Sequence, residues 1–182
     1  MRLQLVLLDR DGVINRDSAD YIKSAEEWQA LPGALEAIAE LQKHFQVVVC
    51  SNQSGIGRGL FDEAALAQIH DKMNTQLREL GGQALDVFYC PHHPNDRCRC
   101  RKPSPELLNL AMQSFGVRPE ATVYAGDSEK DLIAAANAEC HSALILTGNG
   151  HHTATTPIAQ QAEFTCDSLA ALPAALGVSS AS

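Results

Sequence analysis

Short apolar runs alternate along the chain with longer segments in which apolar residues recur at helical spacing. The runs of strand length cover residues 3–8, 47–50, 87–90, 122–125 and 143–146, and the patterns between them predict helices over residues 33–44, 62–80, 105–115 and 129–138. Because the short runs lack strict alternation of polar and apolar side chains, they suit strands that are covered on both faces. The pattern predicts an α/β fold, a doubly wound parallel sheet with helices on either side.

The chain beyond Thr147 carries weaker signals. It is rich in Gly, His and Thr as far as Thr156, which predicts a loop, and a weak strand near Phe164 precedes an Ala-rich terminal helix. Residues 179–182 are predicted to form a frayed tail. With 182 residues, 45% of them hydrophobic, the chain can bury one substantial core but is short for two. We therefore expect one domain over residues 1–178.

The charge balance excludes one class of partner. The formal net charge is -8, whereas a nucleic-acid-binding surface needs a basic face or stripe. The apolar run over residues 3–8 is too short to span a membrane and lacks the cleavage site of a secretory signal. We expect a cytoplasmic monomer that acts on a small molecule and binds neither nucleic acid nor membrane.

Two carboxylates follow the first predicted strand. Asp9 and Asp11 stand two residues apart, and Gly12 allows an unusual backbone bend after them. One carboxylate so placed can attack phosphorus while the other protonates the leaving oxygen and later activates water. The alternative is a strand-ending turn with solvated acids.

A second acidic segment follows the strand predicted over residues 122–125. Asp127 comes at the strand end and Asp131 follows one helical turn later. Ligands of open α/β sheets bind beyond the carboxyl ends of the strands, so we expect Asp127 to lie near Asp9 and Asp11. Oxygen ligands of this kind suit Mg²⁺, which we expect on Asp9, Asp11 and Asp127. An ordinary helix N-cap with acidic first-turn residues is the alternative.

Groups suited to phosphate oxygens occur in two other places. Ser51, Asn52 and Gln53 follow the second strand and offer a hydroxyl, amide side chains and backbone N–H groups. Lys102 offers a fixed cation. Taken one at a time, these residues are equally compatible with a solvated surface.

The four motifs together resemble the haloacid dehalogenase superfamily. Strand–DxDG, strand–SN, K–P and strand–GDxxxD occur in that order from Asp9 to Asp131. The resemblance implies that Asp9 is the nucleophile, Asp11 the general acid/base, and Ser51 a phosphoryl ligand. It also implies that the Lys102 ammonium offsets negative charge in the site and that Asp127 binds magnesium. An alcohol leaving group needs a proton and a halide does not, so the presence of Asp11 favours a phosphatase over a dehalogenase.

Three thiols and an imidazole are crowded into eleven residues. Cys90, His92, Cys98 and Cys100 form the ligand set of a closed tetrahedral structural zinc site, with His93 as an alternative to His92. Unligated cysteines in a loop are the alternative. Bound zinc would staple a loop that has little core of its own and so position Arg101 and Lys102.

The substrate must be selected by short loops, because no insertion is large enough for a bulky cap domain. The Asp-Arg-Asp-Gly segment and the Cys/His loop resemble two families, heptose-1,7-bisphosphate 7-phosphatases and histidinol-phosphate phosphatases. The segment Ser-Asn-Gln-Ser-Gly-Ile-Gly-Arg-Gly from residue 51 and the absence of a fused dehydratase resemble the heptose family more closely. That family implies removal of the C7 phosphate in heptose synthesis for lipopolysaccharide.

Four residues are candidates for substrate binding, Asn52, Gln53, Arg58 and Arg101, the last for a phosphate at C1. The alternative for Arg101 is packing against the Cys/His loop or pairing with an acid. Outside enzymes, the chain could be a zinc-stabilised phosphate-binding module whose acids only hold metal.

Overall fold

A computed structural model describes residues 2–178 and contains a six-stranded, all-parallel sheet. The strands are β1 (Leu5–Leu8), β2 (Gln46–Asn52), β3 (Asp86–Cys90), β4 (Thr122–Gly126), β5 (His141–Ile145) and β6 (Phe164–Cys166). Their spatial order is β3-β2-β1-β4-β5-β6. The chain first builds outward from β1 in one direction and then crosses to β4 to build in the other. The predicted doubly wound parallel sheet is confirmed.

The connections between the strands are mostly helical. The α-helices are α1 (Ala34–Leu41), α2 (Ser54–Gly57), α3 (Glu63–Glu79), α4 (Glu106–Phe115), α5 (Glu129–Asn137), α6 (Gly150–Thr153) and α7 (Leu172–Ala175). Short 3₁₀ turns cover Pro94–Asp96, Pro119–Ala121, Pro157–Gln161 and Leu169–Ala171. None of the helices between residues 2 and 178 has both the length and the apolar composition that a membrane span needs.

The sheet is buried on both faces because consecutive residues of a strand point to opposite sides. In β1, Val6 and Leu8 join a core with α1, α3 and α7, whereas Leu5 and Leu7 join a core with α4 and α5. All four side chains are fully buried, each contributing roughly 1.5–3 kcal/mol by removal from water. This two-sided burial explains why the strand sequences do not alternate.

Local signals set the ends of the helices. The Asp62 side chain accepts a hydrogen bond from the Ala65 backbone N–H and begins α3. Gly116 ends α4 in the left-handed region at φ 64°. These two ends lie within one residue of the boundaries predicted from the sequence.

The predicted loop over residues 147–156 was wrong in part. This segment contains α6, which begins because the Gly150 N–H bonds to the carbonyl of Thr147, 2.8 Å away. The predicted terminal helix is reduced to the 3₁₀ turn Leu169–Ala171 followed by α7. Residues 179–182, predicted as a frayed tail, lie outside the described residues.

Candidate active site

The chemistry-bearing side chains meet where the strand order reverses, at the carboxyl ends of β1 and β4. These two strands are neighbours with Leu8 paired to Ala125, so Asp9 and Asp127 follow adjacent strand ends. A crevice forms there because the connections from the two strands leave in opposite directions. The sheet topology therefore brings together segments that are more than a hundred residues apart in the chain.

Asp9 is almost completely buried. Its Oδ1 accepts hydrogen bonds from the backbone N–H of Arg10 at 2.8 Å and from Lys102 Nζ at 2.9 Å. Within residues 2–178, Asp9 makes all its hydrogen bonds through Oδ1, so Oδ2 is available to a ligand. Burial and the nearby charge of Asp131 raise the pKa of Asp9, and Lys102 opposes this shift. The local environment therefore favours a neighbouring positive charge.

The Lys102 ammonium lies at the centre of a buried polar cluster, with the side chain 2% exposed. Nζ lies 2.7 Å from Asp131 Oδ1, 2.6 Å from the Tyr124 hydroxyl oxygen and 3.1 Å from the Cys50 carbonyl oxygen. Burial alone would lower the pKa of Lys102, but the charges of Asp131 and Asp9 raise it above its ordinary value. Lys102 is therefore a fixed, permanently charged ammonium beside Asp9.

Asp131, to which the sequence analysis gave no role, is the strongest partner of Lys102. Its Oδ2 accepts hydrogen bonds from the Ser128 N–H at 3.0 Å and the Ser128 hydroxyl at 2.7 Å, which caps α5. Gly126 makes room for this contact, because a Cβ at that position would lie 2.2 Å from Asp131 Cβ. The sequence signal was the final residue of the GDxxxD motif.

Asp127 is packed between two glycines. Its Oδ2 accepts a hydrogen bond from the Asn149 N–H at 2.7 Å, and a Cβ on Gly12 or Gly148 would lie 2.3 or 2.2 Å from the same oxygen. Both glycines have positive φ, 83° and 57°, so other residues would also be strained there. Burial and the charge of Asp131 raise the pKa of Asp127 to about 7. Asp127 is therefore a second buried carboxylate near Asp9.

Three carboxylates are close enough to share one ion. Single oxygens of Asp9, Asp127 and Asp131 all lie within 4.8 Å of one another. Lys102 balances only one of their three charges, so a divalent cation would complete the balance, and hard oxygen ligands suit Mg²⁺. The sequence analysis expected Asp11 as the third ligand, but its side chain does not belong to this group.

Asp11 is absent from the group because its carboxylate is taken up by other donors. Arg10 donates from Nε at 3.1 Å and from Nη2 at 2.9 Å, Asn15 Nδ2 donates at 2.9 Å, and Gln53 Nε2 donates at 3.0 Å. Burial would raise the pKa of Asp11, but the charge of Arg10 and these hydrogen bonds outweigh it and lower the pKa. Asp11 nevertheless lines the same cavity as Asp9.

Two residues expected to bind substrate are hydrogen-bonded within the protein. Asn52 Oδ1 accepts from the Lys102 N–H at 3.0 Å, and Asn52 Nδ2 donates to the Lys102 carbonyl at 3.2 Å. Gln53 Nε2 bridges Asp11 and the Ser51 hydroxyl, which is 2.8 Å away. Both side chains touch the cavity wall, but their polar atoms position Lys102, Asp11 and Ser51.

The cavity over Asp9 has a volume of about 280 Å³ and a mixed polar lining. Besides the residues described above, its wall contains residues that the sequence analysis did not single out: Asp17, Ser18, Tyr21, Ile22, Ser128, Lys130 and Asn149. Arg58 is not part of the wall, and its guanidinium lies 5.9 Å from the centre of the Tyr21 ring. Arg101 is in the wall, and its Nη1 is buried without a hydrogen-bond partner among residues 2–178.

The thiol cluster is formed at the end of β3. Cys90 Sγ lies 3.5 Å from Cys98 Sγ, Cys98 Sγ lies 3.7 Å from Cys100 Sγ, and His92 Nδ1 lies 3.2 Å from Cys100 Sγ. A tetrahedral zinc ion with bonds of about 2.3 Å holds its thiolates about 3.8 Å apart. The four side chains fit zinc, and His93 is engaged elsewhere because its Nδ1 accepts from the Asn95 N–H at 3.1 Å.

The Cys/His loop packs directly on the segment that follows β2. The Gly57 N–H donates to the Pro91 carbonyl at 2.8 Å, and the Gln53 N–H donates to the Cys90 carbonyl at 2.8 Å. A Cβ on Gly57 would lie 2.3 Å from the backbone nitrogen of His93, so only glycine allows this close approach of the two segments. The loop therefore contacts the cavity wall on two sides, through Gln53 and through Lys102.

Known proteins resemble this chain in sequence and in fold. A family model described as HAD-hydrolase-like matches residues 99–172. The D-glycero-beta-D-manno-heptose-1,7-bisphosphate 7-phosphatase of Bordetella bronchiseptica is 46% identical over 171 residues, covering 93% of this chain and 96% of the relative. The enzyme of the same name from Pseudomonas aeruginosa is 43% identical over 177 residues, covering 97% and 99%.

A solved structure carries the same resemblance. The crystal structure of D,D-heptose 1.7-bisphosphate phosphatase from B. bronchiseptica, complexed with magnesium and phosphate, superposes with a TM-score of 0.91 at 45% identity. The match covers 96% of this chain and 98% of that chain. Sequence and backbone thus agree over nearly the whole length.

Proposed function

Because the chain belongs to the HAD-like family of D-glycero-beta-D-manno-heptose-1,7-bisphosphate 7-phosphatases, we propose that it hydrolyses the C7 phosphate of D-glycero-D-manno-heptose 1,7-bisphosphate. The observation that carries the proposal is the free Oδ2 of a buried Asp9 beside a fixed ammonium and two further carboxylates. The reaction would supply a heptose monophosphate for nucleotide-activated heptose and lipopolysaccharide.

Asp9 is the nucleophile in this proposal. Its Oδ2 attacks phosphorus, the phosphorus–oxygen bond to the sugar breaks, and the phosphoryl group passes to Asp9. The Lys102 ammonium, 2.9 Å from Oδ1, lowers the repulsion between a carboxylate and a phosphate dianion. The Ser51 hydroxyl donates to a phosphoryl oxygen in this proposal, and its presence in the wall of the same cavity as Asp9 supports the role.

Asp11 is the general acid and base. It passes a proton to the departing sugar oxygen and then takes a proton from the water that releases phosphate from Asp9. Its carboxylate accepts hydrogen bonds from Arg10, Asn15 and Gln53, which fix its orientation in the cavity.

Mg²⁺ would be held by Asp9 and Asp127, and Asp131 is the third carboxylate of the group. When bound, the ion neutralises negative charge on the phosphoryl oxygens. Both oxygens of Asp131 are taken by Lys102, Tyr124 and Ser128, so its main task is to hold Lys102.

Zn²⁺ would be held by Cys90, His92, Cys98 and Cys100 in a closed structural site. The short polar loop between Pro91 and Cys100 has few buried side chains, so bound metal would supply the energy that orders it. The loop continues directly into Arg101 and Lys102, which it would hold at the cavity.

Arg101 is the proposed cation for the C1 phosphate. Its buried Nη1 without a hydrogen-bond partner among the described residues supports this role, since an anion in the cavity would satisfy it. Lys130 lines the same wall and offers a second positive charge. We assign Asn52 and Gln53 to positioning rather than to direct sugar contacts.

The proposal also covers the setting of the enzyme. All six cysteines are unpaired, which suits a reducing compartment such as the cytoplasm. We propose that one domain over residues 1–178 acts as a monomer on a small sugar bisphosphate.

Turnover of three substrates tests the function. Purified protein with Mg²⁺ is given the α and β anomers of the heptose 1,7-bisphosphate and, separately, histidinol phosphate. We expect kcat/KM for one heptose anomer to exceed that for histidinol phosphate by at least about 100-fold, given the extra charged group that the cavity can bind. Faster turnover of histidinol phosphate would overturn the substrate assignment.

A further inference from the structure

One of the donors to Asp11 leads away from the cavity to helix α3, which contributes no residue to the cavity wall. Arg10 is fully buried, and its guanidinium donates to the Asp11 carboxylate through Nε and Nη2. The remaining guanidinium nitrogen, Nη1, lies 3.2 Å from Nε2 of His70 on α3. A chain of contacts therefore runs from His70 through Arg10 to Asp11.

The chemistry of the contact fixes the protonation of His70. A guanidinium can only donate, so His70 Nε2 must be the acceptor and the ring proton must be on Nδ1. Burial, followed by the charge of Arg10, lowers the pKa of His70 to about 4, which agrees with a neutral ring.

The Arg10 guanidinium is held by hydrogen bonds on two sides. His70 Nε2 accepts from Nη1 at 3.2 Å, and Gln53 Oε1 accepts from Nη2 at 3.3 Å. Gln53 in turn donates to Asp11 Oδ2. The plane of the guanidinium, and hence the direction of its two bonds to Asp11, is set by these flanking acceptors.

We propose that His70 is a positioning residue for the acid/base step: by accepting a hydrogen bond from Arg10 it holds the guanidinium that orients Asp11. The inference rests on the proposed role of Asp11. His70 touches neither substrate nor the reacting atoms. Its removal leaves the Asp9 nucleophile and the Lys102 ammonium in place and disturbs the Arg10 guanidinium that orients Asp11.

The identity of the leaving group separates this role from a structural one. A sugar alkoxide needs a proton from Asp11 as it departs, whereas p-nitrophenolate departs without one. kcat/KM reports the steps up to formation of the phosphoenzyme, so it isolates the acid role. We expect His70→Leu to lower kcat/KM for an alkyl sugar phosphate about tenfold, part of the 10²–10⁴ available from acid catalysis.

Three comparisons complete the test. With p-nitrophenyl phosphate, His70→Leu should stay within about twofold of wild type, because the acid is not needed. His70→Gln should restore most of the alkyl ester activity, since its Oε1 can accept from Arg10. Gln68→Leu, an exposed change on the same helix, should alter neither ester.

The link through Arg10 is tested by a double variant. Arg10→Lys should lower alkyl ester turnover more than His70→Leu does, and adding His70→Leu to it should give no further loss, because the group it acts through is already gone. If Arg10→Lys fails to fold, the His70 variants alone decide the proposal.

Equal losses for both esters in His70→Leu, or full alkyl ester activity, would overturn the proposal. The ratio of the two esters can be measured with whichever sugar phosphate the wild type hydrolyses. A wrong substrate assignment is therefore distinguishable from a wrong role for His70.

Discussion

Two groups of potential metal ligands are built in opposite ways. The carboxylates Asp9, Asp127 and Asp131 are 9%, 2% and 1% exposed and follow buried strands β1 and β4. Backbone N–H groups and the Lys102 ammonium already hold their oxygens. The thiol cluster follows edge strand β3, and its loop from Pro91 to Cys100 is partly or fully exposed throughout.

The difference indicates what a metal would do at each group. The carboxylate cluster is held in shape by the core beneath it, so its ion is needed for chemistry and not for folding. The Cys/His loop has little core of its own, so an ion bound there would supply order. Since that loop leads into Arg101 and Lys102, ordering of the loop by a metal would also fix these two residues at the cavity.

The largest effect should come from Asp9→Asn. The amide has nearly the same shape but cannot attack phosphorus, so we expect a loss of at least about 10⁴-fold in kcat. The far-ultraviolet circular dichroism and the zinc content should remain those of wild type. Near-normal turnover would show that Asp9 is not the nucleophile.

Lys102→Met should damage both chemistry and folding, because it leaves two buried carboxylates without their cation. We expect a loss of about 3–5 kcal/mol in the free energy of unfolding, measured with urea, together with loss of activity. Lys43→Met, at an ammonium that is 63% exposed, is the matched control and should change stability little. Equal effects of the two substitutions would contradict the buried ion-pair assignment.

Cys98→Ser should separate the two metals. We expect the variant to lose stoichiometric zinc and to have a kcat/KM about tenfold lower than wild type. Without zinc the loop is less ordered, so Arg101 and Lys102 are misplaced and stabilise negative charge less well. Cys140→Ser, outside the cluster, should keep its zinc. In wild type, zinc should survive dialysis and Mg²⁺ should not; metal analysis that finds no zinc in wild type would refute the closed site.

The smallest effect concerns the pH dependence of stability that arises from the buried imidazole of His70. The pKa of His70 is lowered to about 4, so the unfolded chain takes up a proton below its ordinary pKa of 6.5 while the folded chain does not. Stability should therefore fall as the pH falls from 6.5 to 4, by about 2 kcal/mol after allowance for partial exposure.

His70→Gln should lack this part of the pH dependence. Urea unfolding of both proteins at pH 7, 6 and 5 measures it as the difference between their slopes. Parallel curves for the two proteins would show that His70 does not carry the predicted shift.

The fold could be predicted from the sequence because its main signal is local. Strands buried on both faces give unbroken apolar runs, and the residues that follow those runs must meet at one edge of a parallel sheet. The rule puts Asp9 and Asp127 at the same edge, and the pairing of β1 with β4 brings them close together. The one-turn helix α6 was not predicted, because four residues are too few to show a periodic pattern of apolar positions.

The partners of individual side chains could not be predicted, since they depend on contacts between distant segments. Asn52 and Gln53 looked free to bind substrate, yet Asn52 bonds to the backbone of Lys102, fifty residues away. Asp11 was expected among the metal ligands, but buried Arg10 beside it draws its carboxylate away. Sequence spacing gives the place of a side chain and not the direction of its polar atoms.

The stereochemical course at phosphorus tests the central claim, attack by Asp9, most directly. The enzyme hydrolyses a substrate whose transferred phosphoryl group is made chiral with sulfur and oxygen isotopes, and the configuration of the released thiophosphate is determined. Transfer to Asp9 and then to water involves two in-line displacements, so the account predicts retention of configuration. Inversion would mean that water attacks phosphorus directly and would contradict the account.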